Sequence, residues 1–258
     1  MTDELTAFSK AIFAAVVFVS ALGFAGTADA AGPESLREGL FGSRPAEGRQ
    51  FAAPRIARYV SEEGVDFVLD RTQPQPLLKF GNSMEVWVLQ PQPGPRGDTI
   101  YKNDLGEPVL RATRLGGVTV FTDGRPGGSA AALAGGANPI RMPVLGPLAL
   151  LDRLIQASAR ASRAARRQVI FDAPDVTPAS SSLVGDAATV ASEAVVRMSR
   201  RPDASRLLAK FNTIRFAEGR KPTAQVSRGT LQITVTPAQG VAGRPSSERI
   251  VAVAETAR

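Results

Sequence analysis

Short apolar segments separated by turn residues occupy the chain between residues 58 and 123. They are rich in β-branched and aromatic residues, and Glu85 lies between two apolar neighbours, which predicts a sheet with one face in water. Strands are predicted at 65–71, 77–80, 84–89, 98–102, 109–114 and 118–122. Because turns rich in glycine, proline and asparagine join them, they predict an antiparallel β-meander or a small barrel-like sheet.

The next part of the chain changes to helical periodicity. Small residues and prolines fill 124–146, which predicts a long surface connection. A helix is then predicted at 148–167, with an apolar stripe against a sheet formed by Leu148, Leu151, Leu154 and Ile155. A second helix is predicted at 182–200, with inward positions at Ala188, Ala191, Val195 and Met198.

Shorter elements complete the chain. Pro202 ends the second helix, and Asp203 is the predicted cap of a short helix that reaches Lys210. Further strands are predicted at 168–172, 213–216, 230–236 and 249–254. Apolar and polar residues alternate strictly in 230–236, which is typical of a half-buried strand.

These patterns together predict an α+β protein. An antiparallel sheet comes first, and helices and further strands follow it. Residues 58–258 have the length of a single α+β domain. The domain has either one shared core or two lobes, a mainly β lobe at 58–123 and an α+β lobe at 147–258.

The N-terminus reads as a targeting segment. Residues 11–26 are apolar and uncharged, and the run is shorter than a membrane span. Ala28 and Ala30 have the small side chains that signal peptidase requires, so we expect a signal peptide at 1–30, cleavage after Ala30, and a periplasmic or secreted protein. The acidic Asp3 and Glu4 leave an uncleaved anchor as the alternative. Residues 31–57 are predicted to be a flexible segment.

The composition excludes several kinds of catalytic and metal-binding site. The sequence contains no cysteine and no histidine. A Ser-His-Asp triad, a Cys-His nucleophile and zinc sites built on imidazole or thiolate are therefore excluded. We expect no cofactor and no metal.

The net charge of +7 bears on partners. A basic exported protein attracts anionic envelope components or a partner protein, whereas nucleic acid is not an expected partner. An ordinary arginine-rich surface is the alternative. One predicted helix face could touch an anionic membrane through Arg153, Arg160, Arg163 and Arg167.

Candidate chemistry is limited to carboxylates. Asp98, Asp104 and Glu107 flank a glycine-containing turn, where they could bind calcium or act in acid–base hydrolysis. Asp104 is also a common turn residue, so the turn alone explains its presence without a functional role. Asp66, Asp70 and Glu85 are further carboxylates near predicted strands.

Residues 94–122, the densest cluster of polar and turn residues, resemble a family of uncharacterised exported bacterial proteins known as a domain of unknown function. The resemblance extends over most of the chain, roughly from Arg58. It implies no activity and no site residues, and it favours a protein that is not a standard enzyme.

We therefore expect an exported, non-catalytic protein that binds or supports a cell-envelope component. The alternative is a carboxylate-dependent hydrolase that acts on an envelope glycan or peptide. A deep pocket that holds two of the carboxylates named above would favour the hydrolase. A shallow basic surface would favour binding.

Overall fold

The computed structural model describes residues 54–257, which belong to one compact unit. The predicted signal peptide and residues 31–53 of the predicted flexible segment lie outside the described residues. The domain is built from a large antiparallel sheet followed by helices and a smaller mixed sheet. The predicted α+β fold is confirmed.

The first sheet has nine strands and is nearly closed into a barrel. Its strands run in the order β4-β3-β2-β1-β9-β8-β7-β6-β5, and every neighbouring pair is antiparallel. The edge strands β4 and β5 are consecutive in the chain and only Leu89 separates them, so the two edges are brought together. The strands are β1 Ile56–Ser61, β2 Asp66–Asp70, β3 Leu77–Phe80, β4 Val86–Val88, β5 Gln90–Pro93, β6 Thr99–Lys102, β7 Pro108–Ala112, β8 Val118–Thr122 and β9 Arg125–Gly136.

Alternate residues of these strands form one hydrophobic cluster. Tyr59 and Phe67 stack with their ring centroids 5.4 Å apart. Leu69, Leu110 and Val120 are also buried in the cluster. Each such side chain contributes about 1.5–3 kcal/mol by leaving water, so the cluster is a main source of stability for the barrel.

Strand β9 corrects the prediction of a long surface connection over 124–146. Residues 125–136 form the longest strand of the sheet, which pairs with β1 on one side and β8 on the other. Glycine and alanine have weak strand propensity, so the sequence pattern does not reveal it. The surface connection is confined to residues 137–146.

Strand β5 corrects the prediction of a proline-rich turn at 91–97. It lies at the edge of the sheet and pairs only with β6. Proline is tolerated in an edge strand because the missing N–H faces no partner. A single 3₁₀ turn at Pro95–Gly97 then leads into β6.

The second half of the domain surrounds a separate core. The strand order β10-β11-β13-β12 is mixed: β11 is parallel to β10 and β13, and β12 is antiparallel to β13. Its elements are α1 Pro147–Ala165, β10 Ile170–Asp172, α2 Ser181–Ser199, α3 Ala204–Leu208, β11 Phe211–Glu218, β12 Thr223–Ser227, β13 Gly229–Val235 and α4 Ser247–Thr256.

Helix α2 and strand β13 carry most of the predicted core positions. The predicted inward residues of α2 are fully buried: Ala188, Ala191, Val195 and Met198. In β13, the apolar residues of the alternating pattern are also fully buried: Leu231, Ile233 and Val235. The periodicity of both elements therefore located the core correctly.

Helix α4 corrects the strand predicted at 249–254. Ser246 caps the helix, and its hydroxyl accepts a hydrogen bond from the Arg249 N–H at 3.0 Å. The β-branched residues at 250, 251 and 253 suggested a strand, but Ile250 instead packs on the inner face of a helix. A serine cap and tertiary packing outweigh weak local propensity.

Helix α1 exposes the stripe that was expected to face the core. Leu148, Leu151 and Ile155 are 79%, 52% and 57% exposed. The buried positions are instead Leu150, Ala157 and Ala161. Small side chains on that line allow α1 to lie close to α2. Leu154 is the one member of the predicted stripe that packs against the core, so the prediction is wrong for Leu148, Leu151 and Ile155.

Candidate functional site

The predicted carboxylates do not form one group. Asp98 precedes β6, is 7% exposed and accepts a hydrogen bond from Arg111 Nε at 2.7 Å. Asp104 and Glu107 lie at the opposite end of β6, in the turn that leads to β7. Asp98 is thus held in a local ion pair, away from the other two.

Asn103 organises the turn between β6 and β7. Its Oδ1 accepts hydrogen bonds from the N–H groups of Leu105 at 3.0 Å and Glu107 at 2.8 Å. Its Nδ2 donates to Glu107 Oε2 at 2.9 Å. This asparagine is 2% exposed, so it fixes the Glu107 side chain from within the protein.

The turn is attached to the first turn of α4. Asp104 accepts hydrogen bonds from the Ser246 hydroxyl at 2.6 Å and from Arg249 Nε at 2.9 Å. Asn103 Nδ2 also donates to Glu248 Oε2. One amide group therefore bridges two carboxylates, those of Glu107 and Glu248.

Glu248 is a titratable group whose environment shifts its pKa. Burial raises its pKa to about 7, and the nearby Arg197 guanidinium partly offsets that effect. Arg197 Nη2 lies 3.3 Å from Glu248 Oε1. Glu248 was not among the predicted site residues, because residues 249–254 were predicted as a strand. A serine at the N-cap, Ser246, followed by an acidic residue in the first turn, Glu248, is the helix-start signal that could have found it.

A buried ion pair lies behind this network. Glu85 is 1% exposed and accepts hydrogen bonds from the Ser247 N–H at 3.0 Å and the Ser247 hydroxyl at 2.5 Å. Arg244 Nη1 lies 3.7 Å from it, and Arg244 Nε donates to Asp186 at 2.6 Å. Burial raises the pKa of Glu85. These contacts join the barrel to α2 and α4.

A cleft of about 790 Å³ opens beside these residues, and we call it the Trp87 cleft. The Trp87 indole stacks edge-on against Phe80 at 6.0 Å, and the Arg197 guanidinium lies 5.8 Å from the indole ring centre. Phe121 is a third aromatic residue of the lining. The charged lining residues are Glu85, Glu107, Asp123, Arg160, Glu193, Arg197, Arg200 and Glu248.

A smaller cavity of about 310 Å³ is lined by cations, and we call it the cationic pocket. Lys79, Arg141 and Arg153 contribute to its walls, and none of them forms an ion pair with a described residue. Among the described residues of its lining, Asp186 alone is acidic, and Arg244 already neutralises it at 2.6 Å. The pocket therefore carries an uncompensated positive charge.

The sequence matches a known protein family. Residues 35–254 match the family described as domain of unknown function DUF4908. The chain belongs to this family. The match begins upstream of Arg58, so the DUF4908 region includes most of the predicted N-terminal segment. No curated protein and no solved structure matched the chain.

Neither a candidate metal-binding cluster nor a candidate membrane span occurs in the described part of the chain. Within residues 54–257, no group of three or more acidic residues is arranged to hold a metal ion. No helix in the same range combines the length and hydropathy needed to cross a membrane. The Trp87 cleft and the cationic pocket are therefore the sites whose chemistry must be explained.

Proposed function

We propose that this DUF4908 protein is exported and binds a saccharide component of the cell envelope in the Trp87 cleft without cleaving it. The observation that supports this function is a cleft of about 790 Å³ in which three aromatic rings meet carboxylates and guanidinium groups. This volume is in the range of small-molecule sites, about 300–1,000 Å³.

The lining suits a polar ring compound. An aromatic face offers an apolar surface to the C–H groups of a sugar. Phe121 lines the cleft, and Trp87 lines it with the Arg197 guanidinium over its ring. Glu107 and Arg200 are exposed and can exchange hydrogen bonds with hydroxyl groups. Glu85 is unavailable because Ser247 and Arg244 already occupy its carboxylate.

Trp87 provides the test because it is the only tryptophan of the sequence. We expect its fluorescence to change saturably when mature protein is titrated with soluble peptidoglycan fragments. The E107Q/R200A double variant removes two exposed hydrogen-bonding groups and should bind roughly tenfold more weakly.

The matched control is R228A, an exposed arginine in the turn between β12 and β13. It should bind like the unmodified protein. A titration in which peptidoglycan fragments leave Trp87 fluorescence unchanged, checked by calorimetry, would contradict saccharide binding in the cleft.

A second candidate function is hydrolysis of a glycosidic bond, and the Glu107–Asn103–Glu248 arrangement favours it. Asn103 Nδ2 donates to both Glu107 Oε2 and Glu248 Oε2, so the two carboxylates lie within two hydrogen-bond lengths of each other, which is compatible with the short carboxylate spacing of retaining glycosidases. Burial raises the pKa of Glu248 to about 7, which suits a general acid at neutral pH. Glu248 would protonate the leaving oxygen, and Glu107 would act on the opposite side of the bond.

Release of reducing ends from purified peptidoglycan distinguishes the two functions. A hydrolase would release them in proportion to enzyme and time, and E248Q would lose that activity while its fragment binding persisted. Binding without any release supports the non-catalytic function. A release that E248Q and E107Q leave unchanged would exclude this carboxylate pair.

A further inference from the structure

The cationic pocket and the Trp87 cleft follow one another along the same face of helix α2. The lining residues that α2 contributes are, in chain order, Ser182, Gly185, Asp186 and Thr189 in the pocket and Glu193, Arg197 and Arg200 in the cleft. Apart from the adjacent pair 185–186, consecutive members are three or four residues apart, which keeps all of them on one side of the helix. One face of α2 is therefore a wall of both cavities.

Helix α1 and the turn between β3 and β4 also line both cavities. Arg153 of α1 lines the pocket, and Arg160, seven residues later on the same side of the helix, lines the cleft. Ser83 of the β3–β4 turn lines both. Its hydroxyl accepts a hydrogen bond from the Glu85 N–H at 3.1 Å, which fixes it within the turn. The two cavities thus share three walls, and we call them together the α2 groove.

The α2 groove is longer than a single sugar. Gly185 in the pocket and Arg197 in the cleft are twelve residues apart in α2, which is about 18 Å at the rise of an α-helix. This length accommodates a chain of several sugar units. A ligand with one ring against the aromatic side chains of the cleft can therefore place another of its groups in the pocket.

The two ends of the α2 groove differ in charge. The described lining of the cleft has more acidic than basic residues: Glu85, Glu107, Asp123, Glu193 and Glu248 against Arg160, Arg197 and Arg200. The pocket instead has three cations, and its one described carboxylate, Asp186, is paired with Arg244 at 2.6 Å. A negatively charged group of a ligand is therefore attracted to the pocket and not to the cleft.

The three cations of the pocket are accessible to an anion. Lys79 and Arg141 are exposed, and Arg153 is half-buried. Arg141 influences the carboxylate of Asp70, but that carboxylate already accepts hydrogen bonds from the Thr72 hydroxyl and from a backbone N–H. The cations around this cavity of about 310 Å³ can therefore bind an acidic group of a ligand.

The segment that carries Arg141 is anchored on α2. The Leu145 N–H donates a hydrogen bond to the Ser182 hydroxyl at 3.2 Å, and the Ser181 hydroxyl donates one to the Leu145 carbonyl at 2.6 Å. A Cβ atom at position 185 would clash with the Leu145 side chain, so Gly185 allows the segment to rest on the helix. The wall of the pocket is thus in place before a ligand binds, which lowers the entropic cost of binding.

We propose that the α2 groove binds an acidic saccharide chain, with sugar rings in the Trp87 cleft and a carboxylate group in the cationic pocket. This ligand class rests on the saccharide binding proposed for the cleft, and the pocket adds the charge that orients the chain. Guanidinium groups bind carboxylates through charge-assisted hydrogen bonds, which Arg141 and Arg153 supply. Lys79 adds a third positive charge from the barrel.

A matched pair of ligands tests the role of the carboxylate. Soluble peptidoglycan fragments are used either with their carboxylates intact or after conversion of the carboxylates to amides. The unmodified protein should bind the intact fragments roughly a hundredfold more tightly, because amidation removes the charge that the pocket attracts. Calorimetry and Trp87 fluorescence measure both affinities.

The variant K79A/R141A/R153A removes the three cations of the pocket. It should bind intact fragments roughly a hundredfold more weakly and amidated fragments with nearly unchanged affinity, because the two changes abolish the same interaction. E107Q/R200A alters only the cleft. It should weaken the binding of both kinds of fragment by a similar factor, roughly tenfold.

The matched control is R114A/R220A/K221A, which removes three exposed cations that line neither cavity. It should bind both kinds of fragment like the unmodified protein. Both triple variants should keep nearly the same thermal unfolding temperature, because none of the substituted residues belongs to the core.

Equal affinity of the unmodified protein for intact and amidated fragments would overturn the acidic ligand and leave saccharide binding in the cleft standing. Equal binding of intact fragments by K79A/R141A/R153A and R114A/R220A/K221A would do the same, as would a loss in K79A/R141A/R153A that is equal for both kinds of fragment. Failure of both kinds of fragment to bind would overturn the proposed function together with this one.

Discussion

At the scale of residues, one asparagine and one arginine connect the barrel to the helical half. Asn103 bridges Glu107 and Glu248, and Arg244 bridges Glu85 and Asp186. Arg244 also donates to the Val86 carbonyl at 2.6 Å. Because Arg244 and Glu85 are almost fully buried, each needs its partners inside the protein.

We expect R244A to lower the free energy of unfolding by about 3–5 kcal/mol, because it leaves the carboxylate of Glu85 buried without its cation. Urea denaturation followed by circular dichroism measures the loss. R228A is the surface control and should change stability by less than about 0.5 kcal/mol. A loss for R244A no larger than that of R228A would show that the buried pair is not needed.

Glu248 makes stability depend on pH. Burial raises its pKa from 4.5 to about 7, so between these values the folded protein holds a proton that the unfolded chain releases. The free energy of unfolding therefore falls as pH rises through this window, by up to about 3 kcal/mol, and levels off above pH 7.

E248Q removes the titrating group and should flatten that part of the profile. Urea denaturation at a series of pH values from about 5 to 8 compares the two proteins. E107Q removes a neighbouring charge that helps to raise the pKa of Glu248, so it should narrow the pH window without abolishing it. An identical slope in E248Q and the unmodified protein would assign the dependence to another group.

At the scale of elements, β9 shows how a weak sequence signal becomes a central strand. It pairs with β1 and β8 through residues that have little strand propensity. Gly128 has a φ of +86°, and a Cβ there would lie 2.6 Å from Thr119 Cγ2. Only glycine fits this turn of the strand against β8.

We expect G128A to lower the free energy of unfolding by about 1–3 kcal/mol, through positive-φ strain and the close approach to Thr119 and Phe121. G127A is the neighbouring control, since a Cβ there meets nothing within 4 Å. Thermal and urea unfolding of both variants measure the change in the free energy of unfolding. Equal stability of the two would mean that β9 does not constrain position 128.

Helices α1 and α4 show the reverse case, in which a strong local pattern was assigned to the wrong environment. Leu148, Leu151 and Ile155 have helical spacing but face outward, whereas Leu150, Ala157 and Ala161 are buried. The β-branched residues of α4 resemble a strand, but the Ser246 cap and burial of Ile250 select a helix. The local pattern indicates the periodicity of an element, but it does not determine which neighbouring element buries its apolar face.

At the scale of the whole molecule, the described protein combines a nearly closed barrel, a helical half and a net positive charge. The Trp87 cleft and the cationic pocket both involve residues of the barrel and of α1 or α2.

Export is the prediction that belongs to this scale. We expect the protein recovered from the envelope to begin at Ala31, because Ala28 and Ala30 form the small-residue pair before the cleavage point. N-terminal sequencing of the protein from a fractionated cell measures this. A protein that begins at Met1 in the membrane fraction would establish the uncleaved anchor, and recovery from the cytoplasm would exclude export.

Periodicity was sufficient for elements whose burial follows from their own residues. Strand β13 and helix α2 were predicted with their inward positions because alternation and 3.6-residue spacing directly express one-sided burial. The absence of cysteine and histidine is likewise a property of composition, and it excludes whole classes of site without any structure. The carboxylate Glu107 was identified from its turn.

Tertiary structure alone decided which residues meet. Glu248 joins Glu107 across 141 positions of sequence only because the β6–β7 turn lies against the start of α4. The two edges of the barrel lie near each other because consecutive edge strands flank Leu89, and Leu148, Leu151 and Ile155 face water while Leu150, Ala157 and Ala161 are buried. The period of a sequence shows how one segment repeats, whereas the cleft and the pocket depend on contacts between distant segments, which local propensity does not encode.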